Sequence, residues 1–119
     1  MAHLVHIDAI PVADKTVEPL ALPLADPLGA TIETKTYNLY STDDDSLHAG
    51  TWETGTGESR WEFTDEGEVI YVLEGRMTVQ EDGGSSQEVG PGDLVVFPKG
   101  WKGTWNVTAP LRKVYVIYS

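Results

Sequence analysis

An all-β sandwich or barrel is the fold class this sequence predicts, and three observations carry the prediction. Short runs rich in Val, Ile, Tyr, Phe, Trp and Thr recur from Thr31 to the C-terminus, separated by turn-forming clusters such as "TDDDS", "GTG", "DEG", "DGGSS" and "GPG". Strands at this spacing belong to sandwiches and barrels. Twelve Gly and seven Pro among 119 residues suit a turn-rich chain better than a helical bundle. No stretch carries a convincing 3.6-residue apolar period. The length suits one domain over residues 1–119.

The first thirty residues read as an arm. Pro11, Pro19, Pro23 and Pro27 forbid a continuous helix or a central strand there. "HLVHI" suits a short edge strand, and "LALPL" carries enough leucine that it must dock on something. From residue 31 to 119 the strands of a barrel core follow: "TIETKTYNLY", "LHAGTWET", "ESRWEFT", "EVIYVLEG", "RMTVQE", "DLVVFPKG", "WKGTWNVTAP" and "LRKVYVIYS". In this reading Gly75 is the tight turn that separates "EVIYVLEG" from a returning strand.

Charge and composition exclude several functions. A net charge of −11 repels polyphosphate, so nucleic acid and anionic membrane surfaces are poor partners, while cations and amine-bearing metabolites are attracted. With no cysteine there is no disulfide, thiolate nucleophile or zinc-thiolate site. "MAHLVHIDAIPVADK" lacks the apolar run of a signal sequence, and no segment approaches a membrane span. A cytoplasmic protein is expected.

Glu68 raises a sharper question. Side chains alternate across a strand, so an inward Glu68 carries Ile70 and Val72 inward with it and turns Val69 and Tyr71 the other way. A carboxylate on the inner face is costly unless it is hydrogen-bonded, ion-paired or bound to a cation. Glu68 needs a partner. Arg112 and Lys113, near the start of the last strand, read as edge or rim charges, and Asp93 reads as a residue that ties its turn.

Glu68 followed by Gly75, and "GPGDLVVFPKG" with Gly92, Pro98 and Gly100, resemble the two sequence motifs of the cupins. Together with "GTWETGTGESRWEF" and "RKVYVIY", they are similar to the small cupins grouped with ureidoglycine aminohydrolase, over residues from about Thr31 onward. The resemblance implies a double-stranded β-helix, a small jelly roll whose interior holds the site. It also implies a homodimer, with the N-terminal strands exchanged or added at an edge.

Cupin metal sites use His-x-His, a Glu three or four residues later, and a third His after the second motif. At the shorter spacing the matching positions are Glu62, Thr64, Glu68 and Gly103; at the longer one Trp61 and Phe63 replace the first pair. Neither supplies an imidazole, and His3, His6 and His48 all precede the first motif. No metal and no cofactor are expected. Trp101, Gly103 and Trp105 share a parity, so with Trp52 nearby the sequence points to an aromatic slot whose polar contacts are Glu62, Thr64 and Glu68. Such a slot suits a flat or cationic organic ligand through stacking, cation–π attraction and carboxylate hydrogen bonds.

Three functions follow. The first is a metal-free cupin that binds a small nitrogen-containing metabolite. The second is a hydrolase or isomerase that uses Glu62 and Glu68, or a divalent cation, and is related to ureidoglycine aminohydrolase. The third is a non-catalytic protein whose dimer is the functional object, with the tryptophans as packed core.

Overall fold

A computed structural model describes residues 1–119. Nine strands follow in order: β1 (Thr16–Pro19), β2 (Asp26–Pro27), β3 (Glu33–Ser41), β4 (Leu47–Thr54), β5 (Gly57–Glu62), β6 (Gly67–Glu81), β7 (Ser86–Val89), β8 (Leu94–Phe97) and β9 (Lys102–Tyr118). Two single turns of 3₁₀ helix, Ile7–Ala9 and Val12–Asp14, are the only helical elements.

Two long strands organise the rest. β6 and β9 pair antiparallel along nearly their whole length, from Gly67 opposite Tyr118 to Glu81 opposite Gly103. Each is shared between two sheets. The C-terminal half of β9 pairs with β4, which continues to β3 and β1, while the N-terminal half of β6 pairs with β8. The N-terminal half of β9 pairs with β5 and then β2, while the C-terminal half of β6 pairs with β7. The two sheets close on a common core as a jelly roll.

The corner lies where both long strands bend. Register shifts fall between Val72 and Met77 on β6, around Gly75 at φ 90°. A Cβ at Gly75 would meet Leu111 Cα at 2.7 Å and lie closer still to the Pro110 carbonyl oxygen, so only glycine lets the two strands cross there. The tight turn expected at Gly75 is therefore a bend inside one strand. The same holds for "WKGTWNVTAP" and "LRKVYVIYS", which form one strand through Pro110. Before the bend the expected parity holds: Glu68, Ile70 and Val72 are buried, and Tyr71 is exposed.

The proline-rich arm docks on its own barrel. β1 adds to the edge of β3 and β2 to the edge of β5, while Leu20 and Ala25 join the core and Ile10 is buried. "HLVHI" forms no strand; it leads into the first 3₁₀ turn, and His3 packs on Tyr40. No helix is long and apolar enough to cross a membrane.

Candidate functional site

The interior between the sheets is built from rings and one ion pair. Trp61 on β5 stacks on Trp105 of β9 with centroids 3.8 Å apart. Phe63, Phe97 and Trp101 extend the cluster, with Phe63 parallel to Phe97 at 5.5 Å and Trp101 edge-on to Phe97 at 4.9 Å. Gly103, opposite Trp61, makes this packing possible, since a Cβ there would fall 2.6 Å from the Trp101 ring and nearer still to the Gln80 carbonyl oxygen.

Against these rings stands a buried ion pair. Lys113 Nζ donates to Glu68 Oε2 at 2.7 Å, with both side chains almost inaccessible at 1% and 4% exposure. The ammonium also lies 4.5 Å from the Trp52 ring centre, 4.7 Å from Trp105 and 5.6 Å from Trp61. Three ring faces and one carboxylate thus replace the water that a lysine ordinarily keeps around its charge. Burial pushes the Lys113 ammonium below the usual lysine range, and the Glu68 charge opposes that shift without cancelling it. Glu68 Oε1 is buried and has no hydrogen-bond partner in the protein.

A cavity of about 240 Å³ opens beside the pair, walled by Glu68, Lys113, Tyr115, Trp52, Trp61 and His48 among others. Glu18 and Leu24 of the arm and Asn38 of β3 complete the lining. The Tyr115 hydroxyl donates to Asn38 Oδ1 at 2.8 Å, Asn38 Nδ2 donates to Ser41 Oγ at 2.8 Å, and Ser41 Oγ lies 2.6 Å from His48 Nδ1. Burial and the Glu68 charge together raise the Tyr115 hydroxyl to about 12, so it stays protonated at neutral pH. Gly50 leaves room for it, since a Cβ there would sit 2.9 Å from that hydroxyl.

Of the six sequence-predicted residues, two line the cavity, two pack in the aromatic cluster behind it and two face away. Glu68 and Trp52 line the cavity, Trp105 lies beneath the Lys113 ammonium, and Trp101 packs with Phe63 and Phe97. Glu62 and Thr64 face outward. Trp61 near the end of β5 and Phe63 just after it are buried, which is the longer of the two motif spacings, so Glu62 is left on the surface between Arg60 at 3.6 Å and Lys102 at 3.8 Å. Both outward residues line a separate outer cleft of about 490 Å³ against Leu22–Asp26. That cleft is larger but holds no buried polar group, so the smaller cavity is the better candidate. A paired-carboxylate mechanism through Glu62 and Glu68 is corrected by this geometry, because the two lie on opposite faces of the wall.

Lys113 corrects a second expectation. Read as an edge or rim charge, it is instead the partner that Glu68 requires. Tyr115, Trp61, Asn38 and His48 also escaped the sequence-based site, and His48 is a half-buried wall residue. The positions that hold the metal in cupins are here Trp61, Phe63, Glu68 and Gly103. One carboxylate already bonded to an ammonium, two rings and a glycine do not fit a transition metal, and no group of three or more His, Cys, Asp or Glu gathers elsewhere.

With two motifs, a double-wound pair of sheets and an interior site in place, the comparison with known proteins is decisive. The model of the EutQ-like cupin domain matches residues 42–115. The chain belongs to the EutQ-like cupin family. This cupin is similar to a DUF861-family protein of unknown function from Pseudomonas syringae pv. tomato, at 24% identity and TM-score 0.74 over 87% of this chain and 43% of that one. It is also similar to the EutQ protein of Clostridium difficile, at 28% identity and TM-score 0.61 over 73% and 63% of the two chains. A DUF861-family protein from Thermotoga maritima shares 40% identity over 55% of this chain and 73% of that one, with TM-score 0.51. The chain thus spans less than half the length of the Pseudomonas protein and under two thirds of the Clostridium one. No curated protein matches the sequence.

Proposed function

We propose that this cupin binds a small, uncharged, nitrogen-containing metabolite with an amide or ureide group, in the cytoplasm, at the cavity beside Glu68 and Lys113. One observation carries this reading. Glu68 Oε2 accepts a hydrogen bond from Lys113 Nζ, while Oε1, buried at the same site, has no partner. A buried carboxylate oxygen that accepts nothing is expensive, and here it stands beside an ammonium with further protons to donate. An amide offers the complement, an N–H for Oε1 and a carbonyl for Lys113 Nζ. Trp52 and Trp61 add apolar surface to the lining for the rest of the molecule.

The pair also narrows the ligand class suggested by the acidic composition. A free amine would compete with Lys113 for Glu68 and for ring faces that the lysine already covers. At about 240 Å³ the cavity lies below the usual range of about 300–1,000 Å³, which favours a compact molecule. The resemblance to cupins grouped with ureidoglycine aminohydrolase supports a ureide in particular. A screen of ureides, amides, guanidines and polyamines by ligand-observed NMR tests the reading. Binding confined to ureides or amides, and lost in Lys113→Met, supports it; binding by polyamines alone overturns it.

A second copy of the chain is proposed as a partner on a separate observation. Tyr71, Leu94 and Val96 are 45%, 69% and 54% exposed, and they lie side by side on paired strands of one outer face, with Val69 between them. An antiparallel apolar face of this kind is self-complementary about a two-fold axis. Sedimentation of the wild type as a dimer, and of Leu94→Glu combined with Val96→Glu as a monomer, is the expected result.

A further inference from the structure

We propose that Lys113 is a nucleophile that forms an imine with a small uncharged aldehyde or ketone admitted to this cavity. The inference rests on the reading of the cavity as a small-molecule site and adds a covalent chemistry to it. Several observations converge. Lys113 is the one lysine in the buried interior; Lys35 is half-buried, Lys99 and Lys102 are exposed, and Lys15 is half-buried and paired with Glu53. Lys113 is among the residues that line the cavity. Ring faces, not water, surround the rest of the head group. A lysine in such a setting is the kind that attacks carbonyl carbon, because the environment lowers the cost of releasing its proton. Burial shifts its ionisation in that direction.

Glu68 supplies the proton route. With its oxygen 2.7 Å from Nζ, it takes one proton from the ammonium and frees the nitrogen lone pair. The N–C bond then forms as the carbonyl π pair moves onto oxygen, and a proton passes from nitrogen to that oxygen to give a neutral carbinolamine. Glu68 returns its proton to the hydroxyl, the C–O bond breaks, water leaves, and the nitrogen lone pair completes the C=N bond. The product is an iminium cation beside a carboxylate anion, the same charge pair that the site held at the start. No oxidant, reductant or further reactant is consumed. An anionic carbonyl compound is disfavoured, since Lys113 is the only cationic side chain in the cavity and Glu18 stands in its lining.

The test is reductive trapping of the full chain with propionaldehyde and sodium cyanoborohydride at neutral pH, followed by peptide mass mapping. Propylation at Lys113 at least roughly tenfold faster than at Lys15, Lys35, Lys99 and Lys102 is expected, and Lys113→Arg, which keeps the charge, abolishes the fast phase alone. Label spread over the other lysines with Lys113 unmodified overturns the proposal, and the wild-type map gives this answer even where the variant does not fold. The two readings of the cavity separate cleanly. Trapping at Lys113 with no amide or ureide bound sustains the imine and sinks the ligand class, whereas a bound amide with Lys113 untouched does the reverse.

Discussion

The two sheets share β6 and β9, yet they contribute opposite chemistry to the space between them. The sheet with β5 and the N-terminal half of β9 supplies Trp61 and Trp105, stacked and fully buried. The sheet with β4 and the C-terminal half of β9 supplies Glu68, Lys113 and Tyr115 alongside Trp52. One half is stabilised by the removal of apolar surface from water. The other contains two charges whose desolvation opposes folding and whose mutual attraction only offsets it. The lesson is that the polar half depends on the aromatic half, because the Lys113 ammonium rests on rings from both sheets.

The largest effects should come from breaking either half. Trp105→Ala should cost about 3–5 kcal/mol in urea unfolding through the cavity left under Trp61 and Lys113. Lys113→Met should cost about 3–5 kcal/mol, because Glu68 is then buried without a partner. The two differ in rescue. Adding Glu68→Leu to Lys113→Met should restore most of the loss, since an apolar pair of similar volume carries no desolvation penalty, while the same addition should deepen the loss in Trp105→Ala, where it leaves Lys113 buried without its carboxylate. A double variant no better than the single one would mean that the pair holds the sheets together by geometry rather than by charge.

A smaller effect probes the seam between the halves. Gly103→Ala places a Cβ 2.6 Å from the Trp101 ring and against the backbone carbonyl of Gln80, which cannot retreat without disturbing the β6–β9 ladder. A loss of about 1–3 kcal/mol is expected, with a changed tryptophan emission spectrum. An unshifted spectrum would show that Trp101 does not rely on the missing side chain.

Much of the fold was legible in the sequence because alternation and turn residues are local signals. The all-β class, the burial of Glu68 with Ile70 and Val72, and the shared inward face of Trp101, Gly103 and Trp105 all follow from period-two counting. The bends were not legible. Gly75 and Pro110 look like strand ends, and in a flat sheet they would be, but opposed across a corner they let one strand pass from sheet to sheet. Counting odd positions onward from Trp105 through Pro110 reaches Leu111, Lys113 and Tyr115, all inward. Ending the strand at Pro110 discarded that count and left Lys113 to be judged by its charge alone. Glu62 failed for a different reason. Both spacings of the motif were open, Glu and Thr are the chemically attractive choice, and only the burial of Trp61 and Phe63 decides between them.

The smallest effect sharpens the comparison from the polar side, where ionisation is the reporter. The Tyr115 hydroxyl is raised from 10.0 to about 12 by burial and by the Glu68 charge. An acid whose folded value is raised binds its proton more tightly in the native state, so its contribution to stability is full below the unfolded value of 10.0 and is lost as pH rises toward 12. Lys113 acts in the opposite sense. Its folded value lies below 10.5, so its contribution grows as pH rises and levels off above 10.5, and it is the same in the wild type and in Tyr115→Phe. The difference between the wild type and Tyr115→Phe from 10.5 to 12 therefore reports Tyr115. Since the hydroxyl bonds to the exposed Asn38, solvent screening limits the effect to about 1 kcal/mol. Tyr115→Phe should lose about 0.5–1.5 kcal/mol at neutral pH with the Asn38 hydrogen bond, yet decline less steeply than the wild type in urea midpoints taken across that alkaline interval. Parallel decline of the two proteins would show that Glu68 does not reach Tyr115, and that the polar half of the interior is a pair rather than a triad.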